Sequence, residues 1–185
     1  MDAVKTGGGR PVVAMTDEFA LKTLLPFYAT FVEALGFDVR VHTGAGQKDL
    51  KRGIEEANVP FCAPMQVYQG VMSALLEDSA TAPDYVLAPR VRELPRQKGE
   101  AEATTCPIVQ AAPDIVGKLA GAKHKPRLLT PRVDIGPDNF ASDRFRASVR
   151  ELAASLGQLA HWERAYEAAC RRQQTFDRSL KEIGA

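Results

Sequence analysis

Short apolar segments with strand character alternate along this chain with longer segments in which apolar residues recur at helical spacing. The strand-like segments cover residues 11–15, 37–41, 85–88 and 127–130. Helical spacing is found over residues 19–35, 47–57, 66–76 and about 114–119. Chains that alternate in this way fold into a parallel sheet whose strands are joined by right-handed helical crossovers. The pattern therefore predicts an α/β fold, with a parallel sheet of about four strands flanked by helices.

From residue 140 onward the strand signals stop. Apolar residues then step by four and three, in one phase over 145–159 and in a shifted phase over 162–183. One long amphipathic helix, or a helix pair meeting near Gly157, accounts for this pattern. Its apolar stripe packs either on the sheet or against another domain or subunit. We therefore divide the chain into a flexible glycine-rich lead-in (1–10), an α/β domain (11–139) and a C-terminal helical extension (140–185).

Charge and hydropathy exclude two classes of function. Lys and Arg number 24 against 23 Asp and Glu, which argues against a protein that binds nucleic acid by bulk electrostatics. No apolar run approaches the roughly 20 residues that a membrane span needs, and the N-terminal segment lacks the apolar core of a secretion signal. We expect a cytoplasmic protein that binds neither nucleic acid nor membrane. Three scattered cysteines make no disulfide framework, which leaves free thiols or metal ligands.

Cys62 and Cys106 are the candidates for metal chemistry. Each lies in a loop beside proline, and each precedes an apolar helical segment. At a helix N-terminus the dipole and the free backbone N–H groups favour the thiolate, which is the form that binds metals. No C-x-x-C spacing is present, so the residues alone leave open the alternative of two inert, buried cysteines. Cys170, inside the C-terminal helical pattern, is interpreted as a packing residue.

Two arginines follow the third and fourth predicted strands in similar contexts, Arg90 in APRV and Arg132 in TPRV. Ligands of parallel sheets collect at the carboxyl ends of the strands, and a planar guanidinium binds phosphate or carboxylate groups. Arg90 and Arg132 are therefore candidate contacts for an anion or phosphate of a small molecule. The alternative is a pair of surface arginines that are matched with carboxylates of the protein itself.

The chain also resembles a known family over about residues 11–183. The segments that carry the resemblance are, in order, LLPFYATFVEALGFDV, VPFCAPMQVYQG, PDYVLAPRV, TTCPIVQAAPDIV and AYEAACRRQQTFDRSLKEIG. They resemble the DUF2229-type domain of activase-associated proteins in the 2-hydroxyacyl-CoA dehydratase group, whose relatives include benzoyl-CoA reductase subunits and double-cubane cluster proteins. The most specific matches are Cys62 with Pro64 and Gly70, and Cys106-Pro107 with Gln110 and Pro113.

This resemblance implies a Rossmann-like domain in which Cys62 and Cys106 bind an iron–sulfur cluster of the 4Fe-4S type that passes low-potential electrons. It also implies that an ATP-dependent activase domain or protein supplies the electron, and that the acceptor in characterised members is an acyl-CoA thioester. A cubane commonly takes four ligands, and two thiolates do not complete one. The chain would then share the cluster across a homodimer or with further domains of a longer chain, or hold no stable cluster.

The resemblance assigns no catalytic residue. It also implies that complete dehydratase and reductase subunits have further α/β domains, which supply another cysteine ligand and the substrate pocket, so the chain alone is not expected to be a complete enzyme. The competing hypothesis is of a different class. It is a non-catalytic α/β interaction or scaffold domain without a cluster, whose C-terminal helix binds a partner.

Overall fold

A four-stranded parallel sheet forms the centre of the molecule, as the alternating pattern predicts. The computed structural model describes residues 9–57, 59–77, 81–96, 98–119 and 126–184. The strand order is β2-β1-β3-β5, with β1 at Val12–Thr16, β2 at Asp38–His42, β3 at Tyr85–Leu87 and β5 at Arg127–Leu129. All but the last two residues of the predicted lead-in lie outside the described residues.

Six α-helices occur in the described part of the chain. They are α1 (Leu25–Ala34), α2 (Gln47–Glu56), α3 (Ala63–Leu76), α4 (Pro107–Leu119), α5 (Asp143–Ser155) and α6 (Trp162–Ile183). The helix predicted over 19–35 is shorter than its pattern, because a separate 3-10 turn occupies Phe19–Leu21. Pro26 lies in the first turn of α1, where a proline has no hydrogen bond to lose.

Two strands that the sequence did not predict form a separate two-stranded parallel sheet just beyond the prolines. They are β4 (Arg90–Glu93) and β6 (Arg132–Asp134), which pair in parallel with Arg90 opposite Arg132. The predicted ends of the third and fourth strands at Pro89 and Pro131 are confirmed, since β3 ends at Leu87 and β5 at Leu129, but backbone pairing between the two segments continues into β4 and β6. The ladder passes the prolines because their neighbours donate instead: Ala88 N–H donates to Leu129 O at 2.8 Å, and Arg90 N–H donates to Pro131 O at 2.9 Å. The similarity of APRV and TPRV reflects this register pairing.

The two faces of the sheet bury different side chains. One face, here called the aromatic face, packs α1, α5 and α6 around Phe27, Phe31, Phe145 and Tyr166. The other, here called the cysteine face, packs α3 and α4 through a smaller set, Met65, Tyr68, Met72, Ala112 and Val116. Strand residues alternate between them, so that Val13 faces the first cluster and Ala14 the second.

The C-terminal region is a helix pair, which confirms one of the two alternatives. Gly157 adopts φ +73° after α5, and a 3-10 turn at Leu159–His161 leads into α6. A left-handed glycine at this point ends a helix without steric cost. The first half of α6 packs on α1, so its apolar stripe lies against the sheet domain. Among the described helices, none has the length and apolar character required to cross a bilayer.

Candidate functional site

The order of the strands indicates where a ligand would bind. The chain crosses from β1 to β2 through α1 on the aromatic face, and later crosses to β3 and β5 through α3 and α4 on the cysteine face. The direction of winding therefore reverses between β1 and β3, and open α/β sheets bind ligands outside the carboxyl ends of the strands at such a point. Because α3 and α4 each return the chain to the start of a parallel strand, their N-termini lie toward this carboxyl edge.

Both candidate cysteines lie at those N-termini. Cys62 is the N-cap residue of α3, and Cys106 directly precedes α4. Their carbonyls accept the first helical hydrogen bonds, from Gln66 N at 3.1 Å and from Gln110 N at 3.2 Å. Both residues are exposed free thiols, so the alternative of two inert, buried cysteines is wrong.

The proline after each cysteine belongs to the start of the helix. Pro64 occupies the first turn of α3, and Pro107 is the first residue of α4. Proline is favoured at these positions because its fixed φ is already helical and its missing N–H would have no partner there. The prolines that bracket the cysteines thus fix where each helix begins, and with it the position of each thiol.

Thr105 and Gln110 hold the Cys106 loop against β4. Thr105 N–H donates to Arg92 O at 2.9 Å, and its hydroxyl donates to Val91 O at 2.6 Å. The Gln110 side-chain amide, one turn into α4, donates back to Thr105 O at 2.9 Å. Cys106 is therefore positioned by β4, a strand of the two-stranded sheet that follows Pro89.

Glycine contacts set the position of α3. A Cβ placed on Gly70 would lie 1.9 Å from the backbone oxygen of Asp49, and one on Gly53 would lie 1.8 Å from that of Gln66. Real Cβ atoms do not approach a carbonyl so closely, hence α2 and α3 meet backbone to backbone only because both residues are glycine. The glycine eight residues after Cys62 thus has a packing role in orienting the helix that carries the thiol.

The loop after β1 adds a carboxylate to the same edge. The Asp17 Oδ1 atom is buried and has no hydrogen-bond partner among the described residues. Phe19, two residues on, has φ +59° and stacks on Tyr68 of α3 with ring centroids 5.1 Å apart. A bulky residue at positive φ is held there by its surroundings. In the sequence, the only sign of a role for Asp17 is its position at the end of the first predicted strand.

Two thiols match part of a metal centre. Throughout the described segments, no group of three or more His, Cys, Asp or Glu side chains is gathered to hold a metal ion. Thiolate is the donor that iron–sulfur clusters require, so the chemistry of Cys62 and Cys106 suits such a group. Their number does not complete a four-ligand cubane, and the remaining ligands would come from outside the described residues.

Arg90 is tied to α4. Its guanidinium binds both carboxylate oxygens of Asp114, at 2.7 and 2.6 Å, and donates to Gln110 O at 3.1 Å. This hydrogen bonding lowers the pKa of Asp114 and raises that of Arg90. The carboxylate-paired alternative therefore describes Arg90, which clamps the helix that begins after Cys106.

Arg132 is also paired, with Asp134 at 3.3 Å, but two further arginines share that carboxylate. The two further arginines are Arg92 and Arg144, and no sequence pattern marks either as a site residue. Charged residues at a surface follow no periodicity, so only the fold shows that they converge.

Cys170 is half-buried and packs against the aromatic face, as its interpretation as a packing residue predicts. Burial is the main cause that raises the pKa of its thiol. It lies apart from Cys62 and Cys106, which belong to the helices of the opposite face.

A family model described as a CoA enzyme activase uncharacterised domain (DUF2229) matches residues 13–185. The matched range covers the sheet, both cysteine-bearing helix starts and the C-terminal helix pair. No curated protein and no solved structure matches the chain.

Proposed function

Because this chain belongs to the CoA enzyme activase-associated family, we propose that it is an iron–sulfur electron-transfer domain to which Cys62 and Cys106 contribute two cluster ligands. One observation carries the proposal. Two exposed thiols begin neighbouring helices that pack side by side on one face, with both N-termini directed to the carboxyl edge of the sheet. A packing role would bury the thiols, whereas a ligand role needs them exposed.

The local environment supports ligand chemistry. Free N–H groups in the first turn of a helix stabilise negative charge, whether on a thiolate or on the sulfides of a cluster. Hydrogen bonds to cluster sulfurs also tune the reduction potential. A bound cluster would supply one-electron transfer at low potential. The protein's own contribution is to fix the donors, through the Gly53–Gly70 contact for α3 and through Thr105, Gln110 and the Arg90–Asp114 pair for α4.

Two ligands imply a second contributor. A second copy of this chain would complete four thiolates, and a further domain of a longer chain would do so equally. The electron donor proposed from the family is an ATP-dependent activase domain or protein, and the acceptor is an acyl-CoA thioester. The segment that leads into Cys106 pairs back on β4 through a bridge between Glu93 and Thr104. A donor that approaches Cys106 would meet this segment first.

The test is anaerobic reconstitution with ferrous iron and sulfide, followed by measurement of bound iron, acid-labile sulfide and molecular mass. We expect a brown protein that gains a cluster as a dimer in the wild type. Cys62→Ser and Cys106→Ser should each abolish cluster uptake, while the matched variant Cys170→Ser should retain it. A colourless wild-type protein, or equal iron in all three variants, would contradict the proposal.

An interaction or scaffold domain is the second candidate, and one observation favours it. The end of α6 carries exposed apolar side chains, with Leu180 50% and Ile183 84% exposed. The helix is buried against the aromatic face at Ala165, Tyr166, Ala169 and Gln173, all of which precede these exposed positions. If this function is correct, a Leu180→Ser, Ile183→Ser double variant should lose self-association by analytical ultracentrifugation. The wild type would then bind no iron under the conditions above.

A further inference from the structure

Three guanidiniums converge on one buried carboxylate beside β6. Asp134 is 3% exposed, and Arg92 donates a hydrogen bond to its Oδ2 at 2.9 Å. Arg132 and Arg144 lie 3.3 and 3.6 Å from the same oxygen. A buried carboxylate needs a partner, but one arginine already provides a charge-assisted bond. The positive charges of Arg132 and Arg144 therefore exceed what Asp134 needs for neutralisation.

These guanidiniums line an open groove of about 530 Å³ between β6 and α5. Their side chains are 47%, 57% and 75% exposed for Arg92, Arg132 and Arg144, so each keeps donors free for a ligand. The Ser148 hydroxyl on α5 lines the same groove.

A second groove of about 290 Å³ continues along β5, the edge strand of the four-stranded sheet. The two share Arg132, Ser148 and Glu151, and the second adds Arg127. Together the two grooves are lined by four guanidinium groups and by two carboxylates, those of Asp134 and Glu151.

We propose that this groove binds a phosphorylated small molecule, with a phosphate seated among Arg92, Arg132 and Arg144. The three cations approach from three elements, β4, β6 and α5. A tetrahedral phosphate offers oxygens in three directions, whereas a planar carboxylate offers them in one plane. Guanidinium forks bind phosphate through paired hydrogen bonds. The second groove leaves space for the rest of the molecule.

Of the two arginines that the sequence predicts as anion contacts, Arg132 lines this groove together with Arg92 and Arg144, and Arg90 does not. The groove needs neither Cys62 nor Cys106. It touches the cysteine region only through Arg92, whose backbone oxygen accepts from Thr105 while its side chain reaches Asp134.

The test uses inorganic pyrophosphate as the probe and malonate as a planar, carboxylate-bearing control, titrated into the full chain at low ionic strength by isothermal calorimetry. We expect saturable binding of pyrophosphate at one site and markedly weaker binding of malonate. Arg132→Gln and Arg144→Gln should each weaken pyrophosphate binding about tenfold, the loss of one charge-assisted contact. The matched variant Arg150→Gln, on the outer side of α5, should bind within about twofold of wild type.

Arg92 is left unchanged, because its loss would strand a buried carboxylate and destabilise the fold. Equal weakening in all three variants would show bulk electrostatics and overturn the proposal, as would equal affinity for malonate or no saturable binding. Amide chemical-shift changes in the wild type give a readout free of variant stability, and changes scattered beyond residues 90–93 and 127–151 would also overturn it. Cys62→Ser should bind pyrophosphate normally, so failure of the cluster proposal and failure of this one are distinguishable.

Discussion

The two faces of the sheet are built on different principles. On the aromatic face, the centroid of the Phe27 ring lies 5.2–6.2 Å from the ring centroids of Phe31, Phe140, Phe145 and Tyr166. On the cysteine face, methionine and alanine dominate and the helices approach through glycine. Interlocked aromatic rings give a rigid, well-specified core, whereas methionine and alanine give adaptable packing. The aromatic packing thus lies on one face, and the two exposed thiols lie at the helix N-termini of the other.

The largest expected effect tests the glycine contact of the cysteine face. Gly70→Ala should lower the free energy of unfolding by about 3 kcal/mol, because its Cβ would meet the Asp49 carbonyl and force α2 and α3 apart. Gly117→Ala is the matched control, since its Cβ would lie 3.8 Å from the nearest Leu128 atom. It should be neutral or stabilising by up to about 0.5 kcal/mol through helix propensity.

Urea unfolding followed by circular dichroism measures both glycine variants. A Gly70→Ala protein as stable as wild type would mean that the helices separate at little cost, and the glycine contact would then not fix the position of α3. Iron uptake by the same variant would then report whether the position of α3 matters to Cys62.

The second-largest expected effect tests the hydrogen bonds that join α6 to the start of α1 on the aromatic face. Gln173 is buried on α6, accepts from Phe27 N–H at 3.1 Å and donates to Thr23 O at 2.8 Å. Gln173→Ala would leave these backbone groups at the start of α1 without partners, so we expect a loss of about 2 kcal/mol. Thermal and urea unfolding measure it. Gln174→Ala, one residue on and exposed, should change stability by less than about 0.5 kcal/mol. Similar losses in both variants would show that the loss does not come from the hydrogen bonds of Gln173, and helix propensity could not explain it because alanine is the better helix former.

The smallest effect concerns the ion pair at the rim of the cysteine face. The Arg90 hydrogen bonds lower the pKa of Asp114, so the pair stabilises the fold above the ordinary carboxyl pKa and that contribution disappears as the pH falls through the lowered value. Because both side chains are well exposed, the contribution is below about 1 kcal/mol. Asp114→Asn should therefore be slightly less stable than wild type at pH 7 and equal to it at pH 2.

Comparison of the unfolding free energies at both pH values checks this expectation. Asp138→Asn serves as the control, since Asp138 is exposed and outside the ion pairs of the described residues. A difference between wild type and Asp114→Asn that persists at pH 2 would show that the carboxylate does not act through its charge.

The sequence predicted those parts of the molecule that follow a period or a helix-start signal. Apolar alternation located the four central strands, and the cysteine–proline segments indicated that each thiol lies near a helix N-terminus. The helices themselves begin earlier than their apolar patterns, α3 at Ala63 rather than 66 and α4 at Pro107 rather than about 114. The sequence predicted the ends of β3 and β5 before Pro89 and Pro131 but missed β4 and β6, because whether strand pairing resumes after a proline depends on the partner strand. The Asp134 cluster was beyond reach for a related reason. Its arginines come from three elements whose juxtaposition no local pattern encodes.

The hydrogen bond from Phe27 to Gln173 joins groups 146 residues apart in the chain. The chain must therefore be synthesised as far as α6 before the Phe27 N–H at the start of the first helix finds its side-chain acceptor. Until then the phenylalanines of α1 would stand uncovered in the nascent chain, as hydrophobic surface that chaperones recognise. A slow or truncated C-terminal segment would therefore do the most harm during synthesis of this domain, rather than in the folded state.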